Sequence, residues 1–282
     1  MPLFKIQVGS AEISLECCQS TISEVTSSVF SAIITPSQIS AKIHYRIETK
    51  NSKYFLFRNN RLTHRNRQLS RIIYALEWQI VQDLLTKNKS VLKFHGAALK
   101  HLDTGFIFLG AASSGKTSLA ILLMRYGWEF FSDEFALVDC DRQIIPFPRN
   151  LIIKPHLRDK INIPLDYPIF KLDDESDGKI DAHYISPSHF GTVYLSKIPL
   201  KGLVFLEKAS RNSFDLQPLE HHKAFRLLTQ HLLNRNFSGE KWLDFLVNLL
   251  DMSAVYRLKI SSPIDLTPSD SRALVEQLNQ IE

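Results

Sequence analysis

One stretch, residues 106–126, constrains this chain more than any other. Phe106-Ile107-Phe108-Leu109 is an apolar run of strand length, followed at once by Gly110-Ala111-Ala112-Ser113-Ser114-Gly115-Lys116-Thr117 and then by the helical pattern of residues 118–126. The eight residues fit G-x-x-x-x-G-K-[ST], and a strand before with a helix after is the context that pattern needs. Glycine at 110 and 115 permits close backbone approach, so that successive N–H groups and the helix start can point at phosphate oxygens. Lys116 would reach the outer phosphates and Thr117 would offer a hydroxyl to magnesium. The expected nucleotide site is therefore Gly110, Ala111, Ala112, Ser113, Ser114, Gly115, Lys116, Thr117 and Ser118, and the expected ligands are ATP and Mg²⁺.

The stretch before it has a different period. Phe4, Ile6 and Val8 alternate with polar residues, as do Ile43, Tyr45 and Ile47, which predicts a small antiparallel sheet. Ile72, Leu76, Ile80 and Leu84 then recur every fourth residue with Ile73 and Val81 beside them, the stripe of a helix that ends near Lys87-Asn88-Lys89. This reading divides the chain into a small α+β domain over residues 1–89 and a second domain over residues 90–282. In the second domain, residues 91–94, 106–109, 130–131, 135–138, 151–153 and 203–206 read as buried strands. Residues 224–233 and 242–250 read as helices, and a terminal helix opens at Thr267-Pro268-Ser269-Asp270 with a capping box and proline in its first turn. Residues 172–187, rich in Asp, Ser and His, read as a mobile surface loop.

Charge narrows the function classes. A net charge of +5 over 282 residues is modest, and its densest basic run, residues 58–71 with Arg61, Arg65 and Arg67, reads as a solvated loop rather than a nucleic-acid footprint. Neither nucleic acid nor membrane is an expected partner. The three cysteines suit a reduced compartment, and the start MPLFKIQVGS has none of the features of a secretory leader, so a cytoplasmic location is expected. The histidines at 183, 189, 221, 222 and 231 show no spacing suited to a zinc site.

A phosphate-binding loop needs a carboxylate for its metal and, in a kinase, another for the acceptor hydroxyl. Asp133-Glu134, Asp139 and Glu207 compete for these places, each at the end of a short strand. The adjacent pair suits both tasks of a kinase, whereas Glu207 or Asp139 would suit an ATPase.

An ordered string of elements resembles the catalytic domain of HPr kinase/phosphorylase, and more closely a group of shorter HPr-kinase-related proteins. It comprises Phe94-His95-Gly96-Ala97-Ala98, residues 110–117, Gly127-Trp128, Ser132-Asp133-Glu134, Pro146-Phe147-Pro148-Arg149 and Lys154, within a similarity spanning roughly residues 90–260. The resemblance implies Asp133 as the base, with Thr117, Glu134 and Asp133 toward magnesium and His95 beside the transferred phosphate. It also implies Arg149 and Lys154 as cations that stabilise charge on the transferring group. The downstream Arg-Gly-rich signature of genuine HPr kinases is absent, which argues against HPr as substrate; the resemblance to the shorter related proteins, often associated with peptide or natural-product biosynthesis, implies a serine hydroxyl on a peptide, protein or small molecule as the acceptor. Homo-oligomers occur in that family.

The expected fold is α/β, a P-loop mixed sheet of the HPr kinase and phosphoenolpyruvate carboxykinase type behind a small N-terminal α+β domain. The expected activity is γ-phosphoryl transfer from ATP to a hydroxyl, with catalytic residues Asp133, His95, Lys116 and Arg149. A P-loop ATPase and a non-catalytic nucleotide-binding regulatory module are the alternatives.

Overall fold

In the computed structural model, residues 2–153, 155–158, 160–161, 169–174, 178–209, 213–233 and 240–281 are described. They form a mixed α/β protein with two mixed sheets and a smaller antiparallel one. The chain divides into two units, Met1–Lys89 with Arg149–His189, and Ser90–Pro148 with Phe190–Glu282. The segment from Arg149 to His189, which the sequence reading assigned to the second domain, thus packs with the amino-terminal part.

The first unit starts with β1 (Leu3–Val8), β2 (Ala11–Cys17), α1 (Ser20–Val29), β3 (Ile34–Pro36), β4 (His44–Lys50), β5 (Lys53–Arg58), β6 (Arg61–Asn66) and α2 (Leu69–Lys87). The strands order β3-β1-β2-β4-β5-β6, with β2 and β4 parallel and their neighbours antiparallel. Alternation and register bury Ile6, Val8, Ile13, Leu15, Tyr45, Ile47 and Leu56 on one face of the sheet. The α2 stripe of Ile72, Leu76, Ile80 and Leu84 is buried as its spacing requires. Asp83 ties α2 to the sheet: it accepts from Tyr45 Oη at 2.6 Å and from Arg58 Nε and Nη2 at 2.8 Å each. The basic run expected as a loop is instead edge strand β6 and the start of α2. Arg61 and Arg65 are exposed there, where charge discourages further strand pairing.

The chain then enters the second unit with β7 (Val91–His101), β8 (Thr104–Leu109), α3 (Lys116–Arg125), β9 (Glu129–Ser132), β10 (Phe135–Asp139) and β11 (Gln143–Ile145). It returns to the first unit for β12 (Leu151–Ile153), α4 (Pro155–Arg158), β13 (Ile169–Asp174) and β14 (Gly178–Ile185). These three strands pair antiparallel in the order β12-β14-β13, so much of the expected surface loop is a β-hairpin. The second unit resumes with β15 (Ile198–Lys208), β16 (Phe214–Pro218), α5 (His221–His231), α6 (Glu240–Asp251), β17 (Ala254–Ile260) and α7 (Pro268–Asn279).

The sheet of the second unit runs β11-β10-β7-β8-β15-β17-β16, with β9 also beside β7. β15 is parallel to both β8 and β17, while β7 is antiparallel to its neighbours. An extra pairing of β11 with β15 closes β15, β8, β7, β10 and β11 into a ring. On one face Ile107, Leu109 and Phe205 pack with Leu228, Leu246 and Leu249 of α5 and α6. Toward the other face, Phe106 and Phe108 meet Trp128, whose ring stacks on His101 and whose Nε1 donates to Asn279 Oδ1 of α7 at 3.0 Å. Helix α7 starts as its sequence predicts, with Pro268 in the first turn and Thr267 Oγ1 accepting from Asp270 N at 3.1 Å. Among the described residues no helix is long and apolar enough to cross a membrane.

Candidate functional site

The site is organised around β7, whose two edges are covered differently at the level of His95 and Gly96. On one edge Leu109, the last residue of β8, stands opposite Gly96, and residues 110–115 leave the sheet from there. On the other edge Ser132 pairs with Ala98 and Phe135 with His95, so Asp133 and Glu134 fall opposite Ala97 and Gly96 in the short link between β9 and β10. Ser132 Oγ accepts from Phe135 N at 3.1 Å and Glu134 O from Gly96 N at 3.2 Å, which holds that link. One strand therefore brings the glycine-rich loop, His95 and the acidic pair to a single level of the sheet.

The loop geometry explains its composition. Gly115 is the N-cap of α3 in the left-handed region, φ 95°, where a side chain would be strained. At Gly110 an added Cβ would stand 2.5 Å from Ser114 Oγ and 3.1 Å from Leu206 Cβ. Ala111, Ala112 and Ser113 are exposed, whereas Ser114, Lys116 and Ser118 are buried. Ser114 Oγ is buried, with no hydrogen-bond partner among the described residues. Lys116 Nζ donates to Gly110 O at 2.7 Å and to Ala111 O at 3.0 Å, which fixes the ammonium against the loop.

Thr117 Oγ1 donates to Asp133 Oδ2 at 2.8 Å. This bond joins the first turn of α3 to the acidic pair. Burial lowers the pKa of Lys116, with the charges of Asp133 and Glu134 opposing the shift. Burial and the nearby Lys116 charge lower that of His95, against the Glu134 carboxylate and a hydrogen bond to the Glu134 backbone. His95 thus favours its neutral imidazole, and Lys116, His95, Asp133 and Glu134 act on one another electrostatically.

Other expected residues have different surroundings. Arg149 belongs to the first unit, where Nε donates to Glu77 Oε1 at 2.9 Å and Nη2 reaches the same oxygen. Both side chains are buried, which makes this an internal ion pair. Lys154 lies outside the described residues. Asp139 closes the β10–β11 turn, accepting from Asp141 N at 3.1 Å and Gln143 N at 2.9 Å, and pairs with Lys197 Nζ at 2.7 Å. Glu207 is 44% exposed at the end of β15, 4.0 Å from Arg257 Nε.

The sequence reading left His231 unassigned, yet it feels the charges of both Lys116 and His95. Burial first, then those two groups, push its pKa down to about 4. No spacing rule could have found it, because it reaches this neighbourhood from the end of α5.

No family model and no curated protein matches the chain. Among solved structures, the Hpr(Ser) kinase/phosphatase from Coxiella burnetii is similar at 16% identity and a TM-score of 0.30, covering 66% of this chain and 93% of that one.

Proposed function

We propose that the chain is an ATP-dependent phosphotransferase that passes the γ-phosphoryl group to a hydroxyl, with serine in a peptide or protein, or a small-molecule hydroxyl, as the acceptor class. The observation that carries this reading is the 2.8 Å bond between Thr117 Oγ1 and Asp133 Oδ2. It couples the hydroxyl at the head of α3 to a carboxylate, in a site where Lys116 is already held against the loop carbonyls.

The loop suits a chain of phosphates on two counts: its glycines permit close backbone approach at 110 and a left-handed cap at 115, and Ser114 Oγ is buried without a partner among the described residues. The oxygen donors assigned to magnesium are Thr117, Asp133 and Glu134. Among the described residues no three His, Cys, Asp or Glu side chains gather as a metal site. Magnesium takes one or two carboxylates and completes its shell with phosphate and water, and the oxygens of Thr117, Asp133 and Glu134 are donors of that kind. When bound, the ion supplies charge neutralisation at the β- and γ-phosphates. Lys116 holds the outer phosphates, and Asp133 accepts the acceptor hydroxyl's proton as that oxygen attacks. Catalysis in this reading is positioning plus charge stabilisation.

An ATPase working through Asp139 is disfavoured by the three bonds that already occupy that carboxylate. The test is transfer of labelled γ-phosphate from ATP with magnesium to a panel of serine peptides and hydroxyl metabolites. Wild type should label an acceptor, and Asp133→Asn should lower transfer by about 10²-fold or more while ATP affinity persists. Lys116→Ala should abolish transfer. Release of free phosphate that ignores Asp133→Asn would refute the assignment.

A further inference from the structure

Strand β8 covers its edge of β7 only as far as Gly96. Beyond that level the same edge is taken by the end of α5: Leu232 forms an antiparallel bridge with Phe94, and Leu233 N donates to Lys93 O at 2.7 Å. Antiparallel register then sets residue 231 opposite residue 95, one step past the point where residues 110–115 leave the sheet. Phe94 and Leu232 both enter the core under α5 and α6. His95, next to Phe94 on the strand, accordingly projects away from that core, and His231, the last residue of α5, stands opposite it, close enough to feel the charges of Lys116 and His95.

We propose that His231 is a further ligand of the nucleotide's outermost phosphate, completing with Lys116 and His95 a three-sided anion site. The proposal rests on the phosphotransferase reading and adds a residue to it. An imidazole held neutral has one N–H to donate, and donors gathered at one level of the sheet suit an anion with several acceptor oxygens. A histidine placed for packing alone would be served as well by the apolar side, where Leu228 and Leu232 lie. His231 instead shares its electrostatic neighbourhood with Lys116, whose ammonium sits on the loop.

The experiment compares binding of ADP and of a non-hydrolysable β,γ-imido ATP analogue, with magnesium, to the full chain carrying His231, His231→Ala or His231→Gln. The expected result is a roughly tenfold loss of analogue affinity in His231→Ala, the worth of one hydrogen bond to a charged group, with ADP affinity changed less than about twofold. His231→Gln, which keeps a donor, should recover part of the loss. Equal losses for the two ligands, as a packing role would give, overturn the proposal, and so does no loss with either. Wild type that binds neither nucleotide overturns the phosphotransferase reading and this inference together. Wild type that binds both, beside an indifferent His231→Ala, overturns the inference alone.

Discussion

Replacing Arg149 by methionine separates a structural from a catalytic arginine. Glu77 is 4% exposed and Arg149 8%, and two guanidinium nitrogens converge on one carboxylate oxygen. Removing the arginine takes a counter-charge and two hydrogen bonds from a carboxylate in dry surroundings, which costs about 3–5 kcal/mol. A unit of this size loses roughly 3 °C of melting temperature per kcal/mol, so the first unit should melt about 10–15 °C lower. The double replacement Glu77→Met with Arg149→Met removes both charges and keeps apolar volume, and should recover most of that loss because neither ion then has to be desolvated. Circular dichroism melts of the wild type, the single and the double variant measure this, with phosphate transfer followed in parallel. An Arg149→Met protein that melts within about 2 °C of wild type yet has lost transfer would refute the reasoning, since the arginine would then be acting on substrate. A double variant as unstable as the single would refute it from the other side.

Three further outcomes follow from single residues. Gly110→Ala would force a Cβ to within 2.5 Å of Ser114 Oγ and 3.1 Å of Leu206 Cβ, so calorimetry should show ATP affinity reduced by roughly tenfold or more; unchanged affinity would remove the loop from the site. In thiol labelling near neutral pH, exposed Cys140 should react first, while Cys17, buried and with its thiol pushed up to about 11, should react only on unfolding; prompt labelling of Cys17 would contradict its burial. His231 has its folded pKa pushed down to about 4 from 6.5, so between those values the unfolded chain takes up a proton that the folded chain refuses. Stability therefore falls as pH drops through that window, by up to about 2 kcal/mol for this partly buried group. Melts at about pH 7 and about pH 4.5 should show His231→Gln losing less in acid than wild type, and an equal acid loss would refute the sign.

Local spacing made much of this legible. The every-fourth-residue stripe of α2, the Thr267–Asp270 cap of α7 and the strand-loop-helix frame of residues 106–125 depend only on near neighbours, so periodicity and turn chemistry expose them. Residues 172–187 read as a mobile surface loop because they are rich in Asp, Ser and His, yet residues 172–174 and 178–185 are strand. What orders them is the cross-strand register from Ile169↔His183 to Asp174↔Gly178, which composition does not display. Arg149 hides its pairing from the sequence for a related reason. Its buried partner Glu77 is 72 residues away, and a chain that leaves one unit and returns to it gives no local sign of doing so.

His231 shows where a helical period misleads. In α5 the buried positions Ala224 and Leu228 lie four apart, and the same period continues to Leu232, which puts His231 on the flank of an apolar stripe, a place that marks it for no role. The helix ends at His231, however, and Leu232 is extended, with φ −73° and ψ 120°. Leu232 stays in the core and bridges Phe94, Leu233 N donates to Lys93 O, and this register sets His231 at the level of His95. The change of period at one residue is what delivers an imidazole to the level of His95 and Lys116. A substitution that extended the helix past Leu232 would cost the bridge to Phe94 and the Leu233–Lys93 hydrogen bond before it touched any of the residues in the loop.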